Sequence, residues 1–271
     1  MATTSTLSSH DISILSKIAD PESSPSSPLL LDPSLPNDPH HNAEEYQKVA
    51  KSEVSIMSKI MKLEFQLADP KSLPSTETEL LVQYQSVISE LDNLISEHPK
   101  YASARNNRVQ ALRRLYGDAI FIQRTENTIS SNEPQPLLKN ADQTTLTKIS
   151  TTILTDLSTG ISLLTPAPFS ALSPKAAKTL SLLYTQRGAL YHHTAKQLNS
   201  NPSAELALES KEVSWSAADF EEAAARDFMM GGRYGNEVAK ALAVSVNPTA
   251  KLCGDIVRDA MRRELSGTSD S

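Results

Sequence analysis

An all-α fold is what this sequence predicts, and three observations carry the prediction. The 271 residues include only eight glycines and 5% aromatic residues, against abundant Ala, Leu, Glu, Lys and Ser, a balance that favours helices over sheets. Apolar residues recur at spacings of three and four along most of the chain, the period of a helix with one buried face. Two helix-length segments, finally, look like repeats of one another.

The elements follow in order. From Pro21 to Pro39, "PESSPSSPLLLDPSLPNDP" holds six prolines among serines and aspartates, which favours an extended tether outside the core. Two apolar patches in the N-terminal segment from Ile12 to Leu31, Ile12 to Ile18 and Leu29 to Leu31, are candidates for docking back onto a groove as an autoinhibitory ligand, with the Ser-Pro pairs at Ser24 and Ser27 as weak phosphorylation sites. A first helix is expected from Glu44 to Leu67, on Tyr46, Val49, Ala50, Val54, Met57, Ile60, Met61 and Leu67. After the breaker-rich "ADPKSLPST", Leu80 to Ile95 keeps the same period and stops before Pro99, whose ring removes a donor and clashes with the preceding turn. A third helix runs from Ala102 to Tyr116 and ends at Gly117.

A polar insert over 125–145 precedes a fourth helix, Ile149 to Leu164, and "TPAPFSALSP" breaks the chain again. Two further helices are expected over Ala176 to His193 and, past an insert near 197–210, Ala204 to Phe228. Gly231, Gly232 and Gly235 read as an interruption, "GGRYGN" being an inter-helix turn that lacks the Lys-Ser/Thr ending of a phosphate loop. A helix around Glu237 to Val244 and another from about Asn247, with Pro248 at its first position, close the chain. The expected organisation is a Pro/Ser-rich, mostly disordered segment over 1–41, three helical hairpins with inserts over 42–229, capping helices over 230–265 and a disordered tail over 266–271.

Aligning "NNRVQALRRLYGD" (Asn106 to Asp118) with "TQRGALYHHTAKQ" (Thr185 to Gln197) places Arg108 on Arg187 ahead of an apolar ridge. The following helices align as "TDLSTGISLL" on "ADFEEAAARD", Asp156 on Asp219. This is similar to the tetratricopeptide pattern, and "EHPKYASA" resembles its proline-marked handover between repeats. Together with "DISILSKIADPE" and the closing "VAKALAVSVNPTAKLCGDIVRDAM", with its Asn247, Pro248, Ala250, Leu252 and Cys253, these segments resemble the tetratricopeptide repeat protein 36 family over most of the chain. The resemblance implies a tetratricopeptide-type α-α superhelix with C-terminal capping helices, the cap being needed because each repeat buries its surface only against its neighbours.

It also implies a non-enzymatic adaptor that binds a protein or peptide in a concave groove lined by the first helices, with chaperone association or control of a partner's stability among its roles. The polar groove candidates are Asn106, Asn107, Gln110, Gln186 and Arg187, since amides offer donors and acceptors to a peptide backbone. The competing assignment is that Asn107 and Arg187 tie adjacent repeats together. A clamp for chaperone C-termini is not expected, because Leu182 and Gln186 stand where it needs basic residues.

The alternative is a nucleic-acid-associated helical-repeat protein using Arg105, Arg108, Arg113 and Arg114. A net charge of -6 and a pI of about 5.6 argue against a surface built for phosphates, and no aromatics interleave the cluster. No catalytic, cofactor or metal residues are nominated: His40 and His41 fall in the tether, and His192 and His193 project about 100° apart on one helix. The lone Cys253 rules out an intramolecular disulfide and reads as a buried, inert thiol. With no spanning apolar run and neither a basic n-region nor a long h-region at the start, a cytoplasmic chain is expected, with the nucleus left open.

Overall fold

The computed structural model describes residues 29–68, 77–123, 136–247 and the separate helical positions 256, 258, 259, 261 and 262. Expectations for Ile12 to Ile18, Ser24, Ser27, the insert around residue 70, the first part of the 125–145 insert, the start of the helix at Pro248, Cys253 and the tail lie outside the described residues. Among those described the fold is all helical apart from two isolated bridges and a short 3-10 turn, Lys211–Ser214. The seven α-helices are α1 (Ala43–Ala68), α2 (Glu77–Glu97), α3 (Ala102–Tyr116), α4 (Gln143–Leu164), α5 (Pro174–Ser200), α6 (Ala217–Arg233) and α7 (Glu237–Val246).

Local chemistry sets the helix starts. Asn42 and Glu45 satisfy each other's backbone N–H groups at the head of α1, and Ser216 with Asp219 forms a reciprocal capping box at the head of α6. Asp142, Ser173 and Asn236 cap α4, α5 and α7, with Pro174 in the first turn of α5. The hydrogen bonds from Thr144 and Thr145 hold Asp142 below the usual carboxylate range, and those from Ser216 do the same for Asp219.

The helices pack as three successive pairs, α1/α2, α3/α4 and α5/α6, with α7 laid on α6. Within the third pair the chains run antiparallel: as α5 passes Ser181, Arg187 and Asn199, its hydrogen-bond partners descend through Gly231, Asp227 and Glu221. The first helices of successive pairs lie side by side and parallel, with α1 bonded to α3 through Glu53 to Asn107 and Glu64 to Arg114, and α3 to α5 through Asn106 to Gln186.

One bridge recurs in every pair. Lys59–Glu90, Arg108–Asp156 and Arg187–Asp227 each join first helix to second at 2.7 Å. The residue after each carboxylate, Leu91, Leu157 or Phe228, is completely or almost completely buried. This corrects the repeat register in the second helices: Asp156 corresponds to Asp227, not to Asp219, which is spent on the capping box. The corrected alignment sets "DLSTG" on "DFMMG" and superposes Gly160 on Gly231, each at a close approach. A Cβ on Gly160 would lie 2.9 Å from a Leu183 methyl, and one on Gly231 3.0 Å from the Ala239 Cβ.

Several element boundaries differ from expectation. Helix α4 starts at Gln143, within the expected insert, because Asp142 caps it, and α5 runs on to Ser200. Residues 204–216, expected to lie in a long helix, hold only the 3-10 turn Lys211–Ser214: Ile122 and Leu206 form an antiparallel bridge, and Gln123 and Ala207 donate to the Glu205 and Phe121 carbonyls. Residues 121–123, just ahead of the first insert, therefore pair with residues 205–207 of the second, and Ile120, Phe121 and Ala207 are buried, a tertiary gain that overrides the local Ala/Leu/Glu propensity. Nor do Gly231 and Gly232 interrupt anything: α6 continues through both, so the expected boundary at 229/230 falls inside a helix. The turn comes at Gly235, whose φ of 99° suits a residue without a Cβ.

The expected tether is ordered over its described part. Asp32 N–H donates to the Leu172 carbonyl and Leu172 N–H to that of Leu30, tying residues 30–32 to the α4–α5 loop. Asp38 is buried, and its carboxylate meets the His41 ring at 2.8 Å. His41 in turn packs on His98 and edge-on against Tyr101.

Candidate functional site

The first helix is apolar around too much of its circumference. At about 100° per residue its apolar side chains span an arc of roughly 200°, about twice what one packing contact needs. Val49, Ile56 and Leu63 fill the core half. The other half, Ala50, Val54, Met57, Met61 and Phe65, turns away from the core, and Val54, Met61 and Phe65 are 66%, 71% and 74% exposed.

Next to α3 this second stripe forms one wall of a cleft of about 640 Å³. Met57, Ile60, Met61 and Phe65 line it from α1, Tyr84 from α2, and Asn107, Gln110, Ala111 and Arg114 from α3. The polar rim is held from beneath. Arg114 Nε donates to both Glu64 oxygens at 3.1 Å, and the Tyr84 hydroxyl donates to Glu64 Oε1 at 3.1 Å. Asn107 Nδ2 donates at 2.7 Å to Glu53, whose other oxygen accepts from the Tyr101 hydroxyl at 2.6 Å. Burial first, and then the adjacent carboxylates, push the Tyr84 and Tyr101 hydroxyls well above the usual phenol range, so both remain donors at neutral pH. Such a surface can hold apolar anchors against Met and Phe while Gln110 and Asn107 meet backbone amides.

Of the five polar candidates, the structure brings Asn107 and Gln110 to this cleft. The others are engaged between helices. Gln186 Nε2 donates to both the side-chain and main-chain oxygens of Asn106, at 2.7 and 3.1 Å, which locks α3 to α5. Arg187 is bidentate to Asp227 at 2.7 and 2.8 Å. Burial pushes the Asp227 carboxyl up, while the two hydrogen bonds from Arg187 oppose that shift.

All four clustered arginines are likewise matched to carboxylates. Arg105 and Arg108 converge on the buried Asp156, Arg108 also reaches Asp92, Arg113 is bidentate to Asp118, and Arg114 pairs with Glu64. The cluster therefore ties α3 to α4 through Asp156, to α2 through Asp92 and to α1 through Glu64, while Arg113 stays with Asp118 just past the end of its own helix. Among the described residues no group of His, Cys, Asp and Glu is arranged to hold a metal ion, and no helix is long and apolar enough to cross a membrane.

Sequence reasoning missed the apolar wall, because Val54, Met57 and Met61 were counted with the core face. The width of the arc was the signal that could have separated them.

No family model and no solved structure matches the chain. A curated relative does: the L-tyrosine degradation gene cluster protein hmgX of Aspergillus fumigatus is 36% identical over 266 residues, which span 96% of this chain and 94% of the relative. With that identity sustained over nearly the whole of both chains, the protein belongs to the family of the L-tyrosine degradation gene cluster protein hmgX.

Proposed function

We propose that the protein is a non-enzymatic adaptor of L-tyrosine degradation, a tetratricopeptide-type solenoid that binds a segment of a partner protein in the α1–α3 cleft. The observation that carries this reading is the cleft itself, with two methionines and a phenylalanine on one wall and Asn107 and Gln110 on the other. Exposed large apolar side chains gathered on one face mark an interaction surface. The parallel first helices and the bridge repeated in every pair support the tetratricopeptide reading, in which that face is the concave one. The relative's name supports the pathway.

The test is affinity capture by the tagged full-length chain, beside a Met61→Glu, Phe65→Glu variant. Both side chains are exposed, so the variant should melt like the parent. A protein that acts in L-tyrosine degradation, captured by the parent and lost from the variant, is the expected result. Equal capture by both would place partner binding elsewhere.

A further inference from the structure

Helix α1 carries four lysines, and their surroundings divide them. Lys48 pairs with Glu44 and Lys59 with Glu90. Lys51 and Lys62 are exposed and make no ion pair among the described residues. On the helix they lie about 40° to 60° beyond Phe65, along the outer flank of the Ala50–Phe65 stripe. The opposite flank is already neutralised by Glu64 and Arg114. In an acidic protein, this apolar seam therefore has one neutral edge and one basic edge.

The seam is also straight. Its residues at 50, 54, 57, 61 and 65 repeat every three to four positions over roughly 22 Å, about four helical turns. Anchors at that spacing match the apolar face of a helix laid alongside, which is the helix-in-groove mode of recognition. An antiparallel second copy would set Lys51 and Lys62 against their own images, a like-charge arrangement that disfavours pairing.

We propose that the cleft receives an amphipathic partner helix whose apolar face is bordered by acidic residues, with Lys51 and Lys62 reading the acidic border. This rests on the adaptor reading and names the chemistry of its partner. Rim charges of this kind contribute modestly to affinity and more to orientation and on-rate, so salt should weaken binding.

The experiment titrates the full-length chain into three labelled synthetic peptides: a helix former with Leu at i, i+3, i+4 and i+7 bordered by Glu, the same peptide bordered by Lys, and the Glu peptide broken by a central Pro. The intact Glu peptide should bind best. A Lys51→Glu, Lys62→Glu variant should bind it about tenfold more weakly and shift its preference to the Lys peptide. Loss of all peptide binding in the Met61→Glu variant is expected as well.

Binding that needs Met61 but ignores border charge, or is equally good with the Pro peptide, overturns this proposal and leaves the adaptor reading standing. Binding by none of the peptides, or binding indifferent to Met61, overturns the proposal too; only unchanged partner capture by the Met61→Glu, Phe65→Glu variant would remove the cleft from the adaptor reading. Doubling of the mass in a cleft-dependent way would name a second copy instead. Tighter peptide binding after removal of residues 1–28 would name the chain's own Ile12 to Ile18 segment, with its flanking Asp11 and Asp20, as the occupant.

Discussion

In the first helix pair the bridge Lys59–Glu90 has side chains 49% and 35% exposed, whereas in the third pair Arg187–Asp227 has them 20% and 5% exposed. Their surroundings differ in the same direction. Arg187 lies near the rings of Tyr184 and Tyr191, and Phe228 beside its partner packs against Gly188. The first pair instead leaves Val54, Met61 and Phe65 uncovered. One repeated device has been sealed into the core at one end of the array and left on a wet, apolar surface at the other. The contrast is one of burial: the third pair is sealed into the fold, and the first leaves part of its apolar face uncovered.

Asp227→Ala should give the largest effect, since it leaves a mostly buried guanidinium without its partner: a loss of about 3–5 kcal/mol in denaturant unfolding. A loss below about 1 kcal/mol would erase the contrast between the pairs.

High pH comes next. Tyr84 of the first pair and Tyr191 of the third both have hydroxyls raised above the ordinary phenol range, burial being the main cause. Their contribution to stability is complete below pH about 10, the unfolded value, and is lost as pH rises from there toward the folded values. The unfolding midpoint should therefore fall on going above about pH 10, and Tyr191→Phe should blunt that fall. A midpoint flat across this range would contradict the burial of these hydroxyls.

Gly232→Ala tests the sealed end directly. The new Cβ would sit 2.8 Å from the Lys240 Cα, so α7 must shift. A thermal melt should register about 1–3 kcal/mol of overpacking, less up to about 1 kcal/mol returned by the better helix former. The smallest effect belongs to Lys59→Ala, at about 0–1 kcal/mol, because its bridge is half in water. A larger value would mean that the first bridge is as structural as the third.

The helices themselves were largely legible in the sequence. Spacings of three and four marked α1, α2, α3 and most of α5, and Pro99 and Gly117 marked their breaks, because the buried face of a helix and the geometry of proline and glycine are local properties. The equivalence of Arg108 and Arg187 was legible for the same reason. The equivalence of Asp156 and Asp227 was not read, because Asp219 offers the same Asp followed by a large apolar residue, and it is the cross-helix hydrogen bonds that separate a bridging aspartate from a capping one, with the glycine four positions on as the local clue. Half of the candidate site could be read in Asn107 and Gln110. Its apolar wall could not be told from core without knowing which neighbours arrive.

By itself, then, the sequence determined an all-helical chain, the approximate bounds of most helices and the first-helix half of the repeat, all set by periodicity and by residues whose backbone preferences act locally. The tertiary structure decided the rest. It paired residues 121–123 with 205–207 instead of letting residues 204–216 form an α-helix, docked residues 30–32 against the α4–α5 loop, drew Asn106, Gln186 and Arg187 into packing, and left Met61 and Phe65 in the open. Each of these outcomes turns on which distant surface competes for the same groups, and that competition is resolved only when the helices meet.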